Sequence, residues 1–154
     1  MKTSLQQWKI AGSVAVVTGL LAIGGCTSTQ MGGMGMGSMS GGAMNVTLTG
    51  SNEVPPVTTS AKGTGTITIK DDHTVSGSIT VTGMTPTAAH IHEGAAGANG
   101  PVIVPMTKSG DNMFVFPATA KLTDAQYASF KAGNTYVNVH TAANPGGEIR
   151  AQLK

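Results

Sequence analysis

Two neighbouring stretches, Gly65-Thr-Ile-Thr-Ile-Lys70 and Ser78-Ile-Thr-Val-Thr82, alternate apolar side chains with threonine or another polar residue. Successive side chains of a β-strand point to opposite faces, so this period of two predicts two half-buried strands. The Asp71-Asp-His73 segment between them is typical of a hairpin connection. This hairpin places the domain in the all-β class.

The same alternation continues on both sides of the hairpin. We expect further strands at residues 46–50, 88–92, 102–106, 113–116, 135–141 and 148–153. Many short strands separated by turn residues favour a Greek-key β-sandwich or barrel. One short helix is expected among them, because Thr123 and Gln126 have the spacing of a capping box and Gly133 is typical of a helix end.

Residues 1–25 have the features of an export signal. Two lysines lie near its start, and residues 10–21 form an apolar run that is too short for a comfortable membrane span. The run leads into Leu21-Ala-Ile-Gly-Gly-Cys26, which resembles the lipobox read by the lipoprotein signal peptidase. This resemblance implies cleavage before Cys26, with lipid on its sulfur and on the new amino group.

The residue after the cysteine indicates where such a lipoprotein would go. Thr27, rather than aspartate, follows Cys26, which under the Gram-negative sorting pattern favours the outer membrane. We therefore expect a lipid-anchored protein of the cell envelope, facing the periplasm or the cell surface. The alternative is an ordinary signal peptide with an unrelated cysteine. Cys26 is the only cysteine, so the chain cannot form an internal disulfide.

Charge argues against nucleic acid as a partner. The chain has 9 basic and 7 acidic residues, and removal of Lys2 and Lys9 with the signal leaves 7 of each. The mature protein then has no net charge when its histidines are neutral, and no cluster of lysine or arginine remains to bind phosphates.

Residues 26–44 are expected to form a flexible tether, since they consist mainly of glycine, serine, threonine and methionine. Thioether sulfur suits Cu(I), and a flexible chain can wrap several sulfurs around one ion. The alternative is a spacer whose methionines have no role. The methionines are two to five residues apart, at Met31, Met34, Met36, Met39 and Met44, and the first four are candidate Cu(I) ligands.

Residues 45–154 resemble the CHRD (chordin-type) domain in three blocks that follow the family's order. The first block is Leu48-Thr-Gly-Ser-Asn-Glu-Val-Pro-Pro-Val57, the second is Ala89-His-Ile-His-Glu-Gly94 with Asn99-Gly-Pro-Val102, and the third is Tyr136-Val-Asn-Val-His-Thr141 with Gly147-Glu-Ile-Arg150. The resemblance implies an extracytoplasmic domain with an immunoglobulin-like or Greek-key β fold. In animals the domain occurs in a secreted growth-factor antagonist, but this chain lacks the cysteine-rich modules found there.

Three histidines are candidate metal ligands. His90 and His92 are two residues apart on a predicted strand, so their side chains share a face with Cα atoms about 7 Å apart. His140 follows Val-Asn-Val, which places it on the non-core side of its own strand. Neutral imidazole binds copper or zinc well. The alternative is a structural role, with the imidazoles bonded to loop carbonyls or His140 paired with Glu93 or Glu148.

The order His-x-His, Val-x-Val-His and Gly-x-x-Arg is also similar to the copper side of Cu/Zn superoxide dismutase. That likeness implies copper-ligand positions for His90, His92 and His140 and an anion-guiding position for Arg150. The sequence departs from the dismutase pattern because it lacks a clear bridging histidine, a zinc loop and a disulfide. Arg150 has a structural alternative as a partner of Glu148 or Glu53.

Taken together, these features predict an envelope CHRD-domain lipoprotein that binds a transition metal, with copper favoured over zinc, as a buffer or carrier. Its expected partners are the membrane, through the lipid anchor, and an envelope protein. One alternative is a non-catalytic envelope or adhesion module that binds a protein or glycan through its loops, and another is a dismutase-like redox enzyme. The sequence contains no other enzyme signal, which favours a non-catalytic role.

Overall fold

The structure is a computed structural model that describes residues 42–154. The predicted signal peptide and the tether sites Cys26, Met31, Met34, Met36 and Met39 lie outside the described residues. Among the residues that the structure describes, no helix has the length and apolar character needed to cross a membrane.

Nine strands and one α-helix make up the described part of the chain. Their bounds are β1 (Ala43–Thr49), β2 (Lys62–Ile69), β3 (Val75–Thr82), β4 (Pro86–Glu93), β5 (Val102–Pro105), β6 (Thr107–Lys108), β7 (Met113–Val115), α1 (Asp124–Lys131), β8 (Thr135–Thr141) and β9 (Ile149–Leu153). This content confirms the predicted all-β class with one short helix.

The strands form one antiparallel sheet in the order β5-β4-β8-β9-β1-β2-β3-β7-β6. Residues 102–108 bring its two ends together, because β5 pairs with β4 while β6 pairs with β7. Met106 lies between β5 and β6, and its amide donates to the Ala89 carbonyl of β4 at 3.0 Å. The sheet therefore curls into a nearly closed barrel or sandwich, as the alternating sequence predicts.

The interior of the barrel is apolar and is formed by the inward residues of the alternating strands. Ile67, Ile79, Ile91 and Val137 are fully buried within it. The Asp71–His73 segment forms the predicted hairpin turn, in which the His73 amide donates to the Lys70 carbonyl at 2.8 Å. The two stretches that predict the fold therefore contribute buried residues to the core, together with β4 and β8.

The first strand extends further toward the N-terminus than the domain boundary drawn at Asn45. β1 begins at Ala43, which pairs with Thr68. Met44 packs against the core because it continues the inward alternation of Val46 and Leu48. Ala43 and Met44 therefore belong to the first strand of the barrel, and Met44 contacts the core through its side chain.

The helix has the predicted start and end. The Thr123 side chain accepts a hydrogen bond from the Gln126 amide, and the Gln126 side chain accepts one from the Thr123 amide. Gly133, just beyond the helix, has a φ of +75°, a conformation that glycine adopts without steric cost. Tyr127 and Phe130 pack partly buried against the core.

β8 is buried along its whole length, on the barrel side and on the outer side. Loops cover the outer side: Pro145 lies against His140, and the segment between β4 and β5 lies against Arg150 of β9. The Asn99 side chain of that segment also donates to the Val54 carbonyl at 2.7 Å. A second buried layer, rich in polar side chains, therefore lies outside the apolar core.

Removing one inward side chain should destabilise the barrel strongly. Ile79→Ala leaves a cavity where the side chain is fully buried, so we expect a loss of about 2–5 kcal/mol in the free energy of unfolding. Ser76→Ala, at an exposed position of the same strand, should change it by less than about 0.5 kcal/mol. Urea unfolding followed by circular dichroism measures both, and equal losses would contradict this assignment of the core.

Candidate metal-binding site

Two adjacent strands hold the three candidate histidines. His90 and His92 lie on β4 and His140 lies on β8, and the two strands pair with Ala88 opposite His140. Their sequence neighbours Ala89 and Val139 are fully buried in the core. Since side chains alternate along a strand, the histidines lie on the outer side, within the polar layer.

The structure brings the three imidazoles together. One ligand atom from each residue can be chosen so that all three atoms lie within 4.8 Å of one another. The His90 ring centroid is 4.9 Å from that of His140 and 5.7 Å from that of His92. His92 and His140 are buried, and His90 is partly buried. The cluster is therefore compact enough for its members to share one ion.

Two backbone carbonyls orient the rings. The Nδ1 atom of His92 donates to the Gly100 carbonyl at 2.9 Å, and Nδ1 of His140 donates to the Pro145 carbonyl at 2.9 Å. A carbonyl only accepts, so each neutral ring carries its hydrogen on Nδ1 and its lone pair on Nε2. Carbonyl partners of this kind are typical of histidines that bind metals through the other nitrogen.

The Nε2 lone pairs of His140 and His92 have different surroundings. Nε2 of His140 accepts a hydrogen bond from Nδ1 of His90 at 3.0 Å. Nε2 of His92 is buried, and none of the residues that the structure describes forms a hydrogen bond with it. The cluster therefore contains an imidazole nitrogen that is oriented, removed from solvent and unpaired.

Two histidines of the cluster, His90 and His140, resist protonation. Burial lowers the pKa of His90 to about 4, helped by the neighbouring His140 and His92. Burial also lowers the pKa of His140, although its hydrogen bond to Pro145 opposes the shift. Both imidazoles are neutral at pH 7, which is the form that binds metal ions.

His73 lies apart from the cluster. Its ring stacks on Tyr127 with centroids 4.3 Å apart, and its Nδ1 is 3.3 Å from a carboxylate oxygen of Asp124.

The two carboxylates that were alternative partners of His140 form hydrogen bonds with other residues. Glu93 accepts a hydrogen bond from Ser129, and Glu148 accepts hydrogen bonds from Thr141 and Asn144.

Arg150 is enclosed by the loop between β4 and β5. The residue is 1% exposed, and its guanidinium donates to the carbonyls of Ala95 and Ala98 at 3.2 and 2.9 Å. Its guanidinium carbon lies 3.4 Å from the centroid of the Tyr136 ring. No carboxylate forms a salt bridge with it among the described residues. These hydrogen bonds give Arg150 a structural environment, but they do not go to Glu148 or Glu53. The charge of Arg150 still acts on Glu53, because it opposes the rise in the pKa of that carboxyl.

Sequence reasoning missed the residues around the histidines. Tyr136 and Asn138 occupy polar positions of an alternating strand, and such positions usually face solvent. In the structure both are buried. The only sequence signal for them was their presence in the three blocks that resemble the CHRD domain.

Comparison with known proteins supports that resemblance. A family model, the CHRD domain, matches residues 44–153. No curated protein and no solved structure matches the chain. The family match indicates an extracellular or envelope module. The likeness to Cu/Zn superoxide dismutase stays a prediction from the order of residues alone.

The low pKa of His90 should make the metal-free protein less stable in acid. As pH falls below 6.5, the unfolded chain gains a proton on His90 that the folded protein excludes until about pH 4. The free energy of unfolding should therefore fall across this window, and His90→Gln should reduce the slope. Urea unfolding in a chelator at pH 7 and pH 5 tests this.

The pKa of Glu53 is raised in the folded protein, so this group makes the free energy of unfolding rise as pH falls. Glu53 is present in both the wild type and His90→Gln, so its contribution cancels when their slopes are compared. Equal slopes in the wild type and in His90→Gln would contradict the assignment to His90.

Proposed function

We propose that this chain, which belongs to the CHRD domain family, binds one transition-metal ion through His90, His92 and His140 and acts in the cell envelope as a metal buffer or carrier. Copper is the favoured metal and zinc is the alternative. A lipid on Cys26 would anchor the protein to the outer membrane, facing the periplasm or the cell surface.

The observation that carries the metal proposal is the Nε2 atom of His92, which is buried and has no hydrogen-bond partner within residues 42–154. A buried polar atom left unpaired costs about 1–3 kcal/mol. A bound cation would remove that cost, and the hydrogen bond to Gly100 already directs the lone pair of this atom. The donor set therefore fits a metal ion.

The donor chemistry supports copper. Neutral imidazole suits both copper and zinc, but a given set of nitrogen donors binds Cu²⁺ more tightly than Zn²⁺. Three histidines leave one coordination position of the ion open. A ligand from another molecule can bind the ion at that position and then take it over. That property is suited to a buffer or carrier.

A dismutase-like enzyme has less support than a carrier. An anion-guiding arginine needs its guanidinium accessible, whereas Arg150 is 1% exposed and bonded to loop carbonyls. The alternative of a protein- or glycan-binding module requires no metal, and the copper titration below separates it from the metal proposal.

Copper titration by calorimetry tests the site. We expect a piece starting at Gly42, which contains all of β1, to bind one Cu²⁺ and the double variant His90→Ala/His92→Ala to lose this binding. Copper at a hundred times its dissociation constant should stabilise the wild-type piece by about 2.7 kcal/mol. His73→Ala is the matched control, because His73 contacts Tyr127 and Asp124 outside the cluster.

Unchanged copper uptake by the double variant would refute the site and leave these histidines structural, as the binding-module alternative requires. The Gly42 piece lacks the candidate Cu(I) ligands Met31, Met34, Met36 and Met39. A longer piece starting at Thr27 therefore measures the tether separately. One additional Cu(I) in the longer piece would support the tether as a relay, and equal uptake would make it a spacer.

The proposed anchor depends on Cys26. Cells expressing the whole chain with a labelled fatty acid should incorporate the label into the wild type, and Cys26→Ser should abolish the incorporation because the chain has no other cysteine. Ser28→Ala, two residues away, should label like the wild type. Label in Cys26→Ser, or an unlabelled wild type, would contradict lipidation at this residue.

A further inference from the structure

Tyr136 and Gly100 hold His92 between them. The Tyr136 ring stacks on the His92 imidazole, with centroids 4.9 Å apart and planes 7° apart. The Tyr136 hydroxyl accepts a hydrogen bond from the Gly100 amide at 3.2 Å. The carbonyl of Gly100 in turn accepts from Nδ1 of His92 at 2.9 Å. The three residues therefore form a closed ring of contacts, which we call the His92 clamp.

Glycine is required at position 100 for this geometry. A Cβ atom built there would lie 1.6 Å from the Glu93 carbonyl oxygen. That part of β4 is fixed by the Glu93 amide, which donates to the Pro101 carbonyl at 3.0 Å. A side chain at residue 100 would push the loop outward and carry the Gly100 carbonyl away from His92.

Arg150 secures the other side of the clamp. Its guanidinium packs on the Tyr136 ring and donates to the Ala95 and Ala98 carbonyls. One buried cation thus contacts both the tyrosine and the loop that carries Gly100. A cation over an aromatic ring is attracted to it, and the attraction is stronger where water is excluded. Arg150 therefore holds the loop in place with no salt bridge to a carboxylate of residues 42–154.

We propose that Tyr136 is a positioning residue for His92. Its hydroxyl holds the Gly100 amide, the Gly100 carbonyl keeps the imidazole hydrogen on Nδ1, and the lone pair on Nε2 is thereby directed into the histidine cluster. The consequence for metal affinity rests on the proposed function. The consequence for the His92 tautomer is a property of the metal-free protein and can be measured without any metal.

The two tyrosines of the chain provide a matched pair of variants. Tyr136→Phe removes the clamp hydroxyl and keeps the stacked ring. Tyr127→Phe removes a hydroxyl that donates a hydrogen bond to Asp71, which is not part of the histidine cluster. Both are made in the full chain, labelled with ¹⁵N-histidine and held in detergent, and NMR then reports which ring nitrogen of each histidine carries the hydrogen.

In the metal-free wild type we expect His92 to carry its hydrogen on Nδ1 and to exchange it with solvent more slowly than the partly exposed His73. Tyr136→Phe should speed the His92 exchange about tenfold or more, whereas Tyr127→Phe should leave it unchanged. Copper affinity should fall about 10–100-fold in Tyr136→Phe, the usual effect of removing a group that orients a metal ligand, and should be unchanged in Tyr127→Phe.

The two proposals fail in different ways. A wild type that binds no copper but shows the faster His92 exchange in Tyr136→Phe refutes the metal function and supports the clamp. A wild type that binds copper, with Tyr136→Phe altering neither exchange nor affinity, refutes the clamp alone. If Tyr136→Phe does not fold, the wild-type spectrum decides, because a hydrogen on Nε2 of His92 would refute the clamp.

Discussion

Strand β8 is buried on both faces, and its outer face imposes the constraint on which the rest of the structure depends. Val137 and Val139 point into the apolar core, whereas Asn138 and His140 point outward and are buried as well. Buried polar groups need partners inside the protein. The loops supply these hydrogen-bond partners, for example the Pro145 carbonyl that accepts from His140. The conformations of the loops and the burial of the polar side chains therefore depend on each other.

The burial of this polar layer also explains the protonation and the contacts of its ionisable side chains. Arg150 is buried and forms no salt bridge with a carboxylate in the described part of the chain. Its positive charge is met by loop carbonyls and an aromatic ring. Burial raises the pKa of Glu53, and the nearby Arg150 opposes this shift. Burial lowers the pKa of His90 and His140. Burial therefore favours the uncharged forms of these three groups, which limits the desolvation penalty.

The same loop carbonyls serve both stability and the proposed site. A carbonyl that satisfies Nδ1 of His92 or His140 also leaves Nε2 of that ring as the atom with a lone pair. The structural alternative, in which the imidazoles bond to loop carbonyls, is thus realised at Nδ1 of His92 and His140. At His92 this arrangement leaves Nε2 available to a metal ion, whereas Nε2 of His140 accepts a hydrogen bond from His90. What separates the two roles is the unpaired Nε2 of His92, which a purely structural histidine does not require.

Sequence alone determined eight of the nine strands, the hairpin at Asp71–His73, the capping box of α1 and the common face of His90 and His92, because each depends on residues a few positions apart. The two-residue strand β6 is too short to show an alternating pattern, and the sequence did not predict it. Tertiary structure decided which distant segments meet. The contact of Gly100 with Tyr136, the burial of Arg150 beneath Ala95 and Ala98, and the approach of His140 to His90 join residues 36 to 55 positions apart. Such contacts leave no periodic trace, since alternation indicates two faces of a strand but not what covers the outer one.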